Sequence, residues 1–141
     1  MNANHLPPNI QNTITSYLRE HLPELQAVYL FGSRASSQAR ADSDYDIALL
    51  TETAIPLETR FDLSTGLANA LDCDVDLIDL RSAHTVLRSQ VISTGQRLHP
   101  INDDYAVEIF EDFVYSDYAR LNEERAGILA DIKEKGSVYG G

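Results

Sequence analysis

Two short stretches decide how this chain is expected to fold: AVYLFGS at residues 27–33 and SDYDIALL at residues 43–50. The first is a continuous run of apolar, partly β-branched and aromatic residues that ends at Gly32, which is typical of a buried strand. The second predicts another strand, over residues 45–50. Because a strand directs alternate side chains to opposite faces, Asp44 and Asp46 are expected to point to one face and Tyr45 to the other.

The surrounding sequence predicts further elements. Residues 74–80 alternate Asp with apolar residues, the period-two pattern of a strand, and residues 96–99 predict a short edge strand. The helical spacing of apolar residues predicts a helix from near Ile10 to near Pro23, and helices over 33–39, 56–71, 82–94 and 103–135.

This order of elements predicts an α/β (α+β) domain, with helices flanking a small mixed β-sheet and a long C-terminal helix. A length of 141 residues suggests one domain. We expect residues 1–100 to form its core and residues 101–141 to form a C-terminal helical extension of the same domain.

Charge and cysteine content exclude several classes of protein. Eleven basic residues face 22 acidic ones, for a net charge of −11, which argues against a nucleic-acid binder and favours a basic partner, a cationic substrate or carboxylates gathered around metal. Cys73 is the only cysteine, so no internal disulfide can form, as is usual in a reducing cytosol. No signal peptide is evident, and no apolar stretch approaches the ~20 residues that span a bilayer. We therefore expect a cytoplasmic protein.

Three carboxylates are candidates for a metal site. Asp44 and Asp46 share one face of their strand, and Asp76 joins that face if the third predicted strand lies beside the second. Carboxylates that converge raise one another's pKa unless a cation neutralises them. Oxygen-only ligands of this kind suit Mg²⁺ or Mn²⁺.

The turn at Gly32-Ser33 is a candidate phosphate site. Glycine has no Cβ, so its backbone can approach a ligand closely, and backbone N–H groups at a helix start, with the Ser33 hydroxyl, form an anion site. A phosphate site beside metal-binding carboxylates is what phosphoryl or nucleotidyl transfer requires. In such reactions two metal ions can hold the triphosphate and activate the attacking hydroxyl.

These residues carry a family resemblance. Gly32-Ser33, ten intervening residues and then Asp44-x-Asp46 match the signature of the DNA polymerase β-like nucleotidyltransferases. The flanking sequences YLFGSRA (29–35) and SDYDIALL (43–50) look most like the minimal nucleotidyltransferases (MNT), and Asp76 matches that family's third carboxylate. The resemblance covers roughly residues 10–100 and implies the nucleotidyltransferase fold. One departure is that Ser36-Ser37 stands where members often carry Arg-Gly.

The resemblance implies a biological role. Stand-alone MNT proteins of this size are typically the antitoxins of type VII toxin–antitoxin pairs, whose partners are HEPT-type ribonuclease toxins. Such a protein transfers AMP from ATP to a tyrosine of the toxin and so silences it. The expected site then comprises Gly32 and Ser33 for nucleotide binding, with Asp44, Asp46 and Asp76 as catalytic and metal-binding residues for two Mg²⁺ ions, Mn²⁺ being a substitute. The expected partners are ATP and the toxin, in a hetero-oligomer, with no direct contact to nucleic acid or membrane.

Two alternatives remain open from the sequence. The first is a nucleotidyltransferase for a cationic small molecule such as an aminoglycoside, and the second is an antitoxin that blocks its partner sterically without catalysis.

Arg81, Arg88 and Arg97 are candidates for triphosphate contacts, whereas Asp74 and Asp79 are interpreted as a solvated strand end. The predicted C-terminal helix carries an unusually wide apolar band, which either packs on the core or marks a partner surface. Its residues are Tyr105, Ile109, Phe110, Phe113, Val114 and Tyr118.

Overall fold

The computed structural model describes residues 8–32, 44–98 and 104–139. Four helices and four strands are described, in agreement with the α/β expectation. The helices are α1 (Pro8–His21), α2 (Leu57–Leu71), α3 (Thr85–Thr94) and α4 (Asp104–Tyr139), and the strands are β1 (Leu25–Phe31), β2 (Tyr45–Thr51), β3 (Val75–Asp79) and β4 (Gln96–Leu98). The helix expected over residues 33–39 lies outside the described residues.

The four strands form one mixed sheet in the order β3-β2-β1-β4. Strand β1 lies antiparallel to both β2 and β4, while β2 and β3 run parallel. The parallel pair is joined through α2, whose Ser64 hydroxyl donates to the Val75 carbonyl at 2.6 Å. The expected neighbourhood of the second and third strands is therefore present, and β4 is the expected short edge strand.

Each face of the sheet has its own apolar core, because the strands are buried on both sides. Helices α1 and α2 cover one face, where Ile14, Leu18, Leu63 and Leu67 pack on alternate residues of β1 and β2. Helices α3 and α4 cover the other face. There the buried residues are Ala27, Tyr29, Ala48, Leu50, Leu80, Val91, Val107, Phe110 and Val114.

The expectation of a solvated strand end is wrong for Asp79, which is only 1% exposed. Its carboxylate accepts hydrogen bonds from the backbone N–H of Ile55 at 2.9 Å, the backbone N–H of Arg81 at 3.0 Å and the Ser82 hydroxyl at 2.8 Å. Its carbonyl accepts from the backbone N–H groups of Ser82 and Ala83. These bonds hold residues 82–83 in a turn, so α3 begins at Thr85 rather than near Ser82.

Helix α4 continues without a break through Gly127 and, at 36 residues, is about 54 Å long. Its first turns pack on the sheet through Val107, Phe110 and Val114, whereas every side chain from 122 to 132 is exposed. The apolar spacing therefore predicted the helix correctly, but only its beginning belongs to the core. None of the helices in the described part of the chain combines the length and hydrophobicity needed to cross a membrane.

Candidate active site

Asp44 and Asp46 stand at the start of β2. The backbone N–H of Tyr45 donates to the Asp74 carbonyl at 2.9 Å, which ties the start of β2 to the residue before β3. The Tyr45 side chain is buried against the α1/α2 core, so alternation turns Asp44 and Asp46 to the other face. Asp44 is exposed and Asp46 is half-buried.

Asp76 lies directly beside Asp46. The parallel register pairs Tyr45 with Val75 and Asp46 with Asp76, and in-register neighbours on one face of a sheet have Cβ atoms ~5 Å apart. Asp76 is exposed because β3 is an edge strand. The structure therefore brings Asp46 and Asp76 together at one end of the sheet, where β2 and β3 begin, with Asp44 on the same face.

Gly32 completes the described part of the site at this end of the sheet. It follows β1, in which Phe31 pairs with Asp46, and its φ of 72° is a conformation that favours glycine. A Cβ at this position would overlap the Oδ2 of Asp46, so only glycine lets that carboxylate lie against the turn. Ser33, the other expected phosphate ligand, lies outside the described residues.

The electrostatics of Asp46 reflect its position between two other acids. Burial raises the pKa of the Asp46 carboxyl above its ordinary value, and the negative charges of Asp76 and Asp44 raise it further. Each cause disfavours the ionised form, and a nearby cation would relieve the repulsion. The site is thus prepared for positive charge.

The donor set fits magnesium better than it fits a metal held by protein ligands alone. Across residues 8–32, 44–98 and 104–139, no three or more His, Cys, Asp or Glu side chains are close enough together to hold a metal ion. Mg²⁺ is usually bound by one or two carboxylates together with substrate phosphates, rather than by a complete protein cage. Asp44, Asp46 and Asp76 interact electrostatically but do not form such a cage, which agrees with a Mg²⁺ ion that is held partly by substrate phosphates.

A cavity of about 300 Å³ opens beside Asp76, and the sequence analysis did not single out its other residues. It lies between α2 and β3 and is lined by Leu57, Arg60 and Phe61 as well as Asp76. Leu57 is 71% exposed and Phe61 is 69% exposed. The apolar spacing that predicts α2 does not by itself reveal that Leu57 and Phe61 face outward beside a carboxylate.

The three candidate arginines have other contacts. The Nε of Arg81 donates to the Thr51 carbonyl at 2.7 Å, at the end of β2 opposite to Asp44. The Nε of Arg88 donates to the Leu80 carbonyl, just beyond β3. In β4, the Nη1 of Arg97 lies 3.6 Å from a carboxylate oxygen of Glu111 in α4. Arg81 and Arg88 are thus at the wrong end of the sheet to contact a triphosphate at Gly32.

Comparison with known proteins agrees with this geometry. Protein adenylyltransferase MntA of Shewanella oneidensis is 42% identical over 122 residues, which cover 86% of this chain and 86% of MntA. A crystal structure of a toxin–antitoxin with AMP-PNP matches with a TM-score of 0.76 and 41% identity, covering 87% of this chain and 98% of the matched chain. A structure of tri-AMPylated Shewanella oneidensis HEPN toxin in complex with MNT antitoxin matches with a TM-score of 0.72 and 39% identity, covering 89% of this chain and 97% of the other.

The family follows from the matched region and from the fold. Residues 12–104 match the model of the family described as polymerase beta, nucleotidyltransferase, and they contain the whole sheet with Gly32, Asp44, Asp46 and Asp76. The chain belongs to the polymerase beta nucleotidyltransferase family, among the relatives of MntA.

Proposed function

We propose that this protein is the antitoxin of a type VII toxin–antitoxin pair and acts as a protein adenylyltransferase. It transfers AMP from ATP to a tyrosine of a HepT-type ribonuclease toxin and thereby neutralises the toxin. The observation that carries the proposal is the pairing of Asp46 with Asp76 beside Gly32, in a chain 42% identical to a protein adenylyltransferase over 86% of both lengths.

In this proposal, Gly32 and Ser33 bind the nucleotide. The turn after β1 presents backbone without a Cβ, and N–H groups at a helix start attract phosphate. The close fit of Gly32 against Asp46 supports a nucleotide site whose phosphates lie next to the carboxylates.

Asp44, Asp46 and Asp76 are the proposed ligands of two Mg²⁺ ions, with Mn²⁺ as a substitute. When bound, the ions neutralise the triphosphate and the charge that develops during transfer. The raised pKa of Asp46 supports this role, because burial and two neighbouring negative charges leave its carboxylate in need of a cation.

The transfer itself is a displacement at the α-phosphorus of ATP. The tyrosine hydroxyl oxygen of the toxin forms a bond to the α-phosphorus, the bond from that phosphorus to the β-phosphate oxygen breaks, and pyrophosphate leaves. Asp76 is exposed on the edge strand and borders the cavity of about 300 Å³, so it is accessible to an incoming hydroxyl group. It is therefore the residue that we assign to accept the proton of the attacking hydroxyl.

The test is incorporation of AMP into the purified toxin. The protein is incubated with ATP, Mg²⁺ and its cognate HepT-type toxin, and intact mass is recorded for both proteins. We expect the toxin mass to rise in steps of AMP, and we expect Asp44→Asn and Asp46→Asn to reduce the rate about 100-fold or more. Asp74→Asn is the matched control, because Asp74 is an exposed acid two residues from Asp76.

Other outcomes would identify the alternatives. AMP found on an aminoglycoside but not on the toxin would indicate a small-molecule enzyme, and inhibition of the toxin without any added mass would indicate a steric antitoxin. Full activity of the Asp46→Asn variant would contradict the assigned site.

Two further assignments belong to the same proposal. The protein acts in the cytoplasm, where ATP and a ribonuclease toxin would meet. Residues 1–100 form the nucleotidyltransferase core and residues 101–141 form a helical extension of the same domain, supported by the packing of Val107, Phe110 and Val114 against the sheet.

A further inference from the structure

A second cavity lies at the end of the sheet opposite to the candidate active site. Its volume is about 560 Å³, and it is lined by Arg81, Arg88, Ala106, Ile109, Phe110 and Phe113. Arg81 places it next to the last residue of β2, Thr51, whereas Asp44 and Asp46 stand at the first residues of that strand. The cavity is therefore separate from the site that we assign to ATP.

Two guanidinium groups converge on one aromatic ring in this cavity. The Cζ of Arg81 lies 5.1 Å from the Phe110 ring centroid, and the Cζ of Arg88 lies 5.6 Å from it. Hydrogen bonds fix both groups, because each Nε donates to a backbone carbonyl and the Nη2 of Arg88 donates to the Arg81 carbonyl. The Nη1 of each arginine makes no hydrogen bond to the described residues.

Among the described residues, neither arginine forms an ion pair with a carboxylate. The ion pairs found within the described ranges join Arg97 to Glu111 and Arg120 to Asp117. Asp117 interacts electrostatically with Arg88, but its carboxylate accepts hydrogen bonds from the Thr85 hydroxyl at 2.6 Å and from Arg120. Two adjacent cations with no carboxylate partner in the described part of the chain favour an anionic group from another molecule.

The wall of the cavity formed by α4 is apolar and exposed. Ile109 is 52% exposed and Phe113 is 57% exposed, and Tyr105, one turn earlier, is 73% exposed. Their spacing of four residues places them in one row along the helix. Exposed apolar rows of this kind mark interaction surfaces, and this row is too long for a small anion alone to cover.

We propose that Arg81, Arg88, Tyr105, Ile109 and Phe113 form a docking surface for an amphipathic helix of the partner toxin. The apolar face of that helix packs on the row in α4, in the manner of a helix in a groove, and an acidic side chain of the helix pairs with Arg81 and Arg88. The identity of the partner rests on the proposed function, whereas the chemistry of the helix follows from the surface.

A second copy of this chain is a poor occupant. A two-fold contact through the surface would set the same patch of both copies face to face. Arg81 and Arg88 of one copy would then meet the same cations of the other, between two chains that each carry a net charge of −11. Charge complementarity therefore favours a different protein with exposed carboxylates.

The test measures binding separately from catalysis. The dissociation constant for the cognate HepT-type toxin is determined by calorimetry without ATP, so that no transfer takes place. We expect Ile109→Asp and Phe113→Asp to raise this constant about tenfold or more, and Arg88→Gln to raise it less. Leu129→Asp is the matched control, because Leu129 is a 65% exposed apolar residue of the same helix outside the surface, and its constant is expected to stay within about twofold of the parent value.

The remaining readouts separate this inference from the proposed function. Circular dichroism verifies that each variant is folded, and titration with Mg-ATP is expected to give the parent affinity for all of them. If the parent protein binds the toxin but transfers no AMP, the proposed function fails while the comparison of constants still decides the docking surface. The docking surface would be overturned if Phe113→Asp left the toxin affinity unchanged or if Leu129→Asp weakened binding equally. It would also be overturned if the parent protein did not bind the toxin, or if the parent formed a dimer that Phe113→Asp dissociates.

Discussion

The aspartates of β2 and β3 differ in their surroundings. Asp46 and Asp76 lie side by side where β2 and β3 begin and repel each other. Asp79 is buried at the other end of β3 and is surrounded by donors. Burial decides the difference, because an inaccessible carboxylate is tolerated only where hydrogen bonds replace the water that it loses.

We predict that Asp79→Ala lowers the free energy of unfolding by about 3 kcal/mol, because it leaves backbone N–H groups of Ile55 and Arg81 without their acceptor. Denaturation with urea measures the change. Asp74→Ala, at the exposed start of the same segment, is expected to change stability by less than about 0.5 kcal/mol. Equal effects of the two substitutions would contradict the structural role of Asp79.

At the scale of elements, a polar network joins α4 to the sheet. The Tyr29 hydroxyl in β1 donates to Glu111 in α4 at 2.6 Å, and Glu111 also faces Arg97 of β4 at 3.6 Å. Burial raises the pKa of Tyr29 above its ordinary value, and the hydrogen bond and charge of Glu111 raise it further, while Arg97 lowers it. The network holds the first turns of α4 over the sheet, beside the row that we assign to docking.

The raised pKa of Tyr29 predicts a loss of stability in alkali. In the unfolded chain Tyr29 releases its proton near pH 10, whereas in the folded protein it keeps the proton. The folded state then binds more protons, so stability falls as the pH rises above about 10. Melting temperatures measured from pH 8 to pH 11 are expected to fall less steeply for Tyr29→Phe than for the parent protein. At neutral pH the same substitution is expected to lower the free energy of unfolding by about 1 kcal/mol, because the hydrogen bond to Glu111 is lost. Parallel curves for the two proteins would contradict this prediction.

At the scale of the whole molecule, the candidate active site and the proposed docking surface lie at opposite ends of one sheet. The starts of β2 and β3 carry the candidate active site, and the opposite end, where α3 and α4 meet, carries the proposed docking surface. A large partner could therefore be held at one end of the domain while one of its hydroxyl groups reaches the other. The proposed activity opposes stability, because the carboxylates that we propose as metal ligands repel one another when no cation lies between them.

We predict that Asp46→Asn raises the melting temperature of the magnesium-free protein while it abolishes AMP transfer. The pKa of Asp46 is raised in the folded state, so the carboxyl binds more protons folded than unfolded, and its contribution to stability falls as the pH rises. The difference between variant and parent is therefore absent below the ordinary pKa of 3.8 and largest near neutral pH. Thermal melts from pH 3 to pH 7 measure this, and a variant less stable than the parent at pH 7 would contradict it.

Local sequence predicted most of the elements and the candidate site. Runs of apolar residues gave strands β1 and β2 nearly to their observed bounds, and the apolar spacing gave α2 and α4. Gly32-Ser33 and Asp44-x-Asp46 stand within fifteen residues of each other, so a short motif was enough to predict them as candidates. The boundary of α3 was less accurate, because the turn before it depends on hydrogen bonds to Asp79 that no local pattern reveals.

The sequence by itself determined the alternation of strands and helices, the family motif and the side of β2 that its acids occupy, because each depends on neighbours a few residues apart. Only the tertiary structure decided that Asp76 lies in register with Asp46, that Asp79 is buried, and that Arg81 and Arg88 meet over Phe110 far from the nucleotide site. These outcomes depend on contacts between segments that are distant along the chain. Their burial and partners arise only when the sheet and helices pack together.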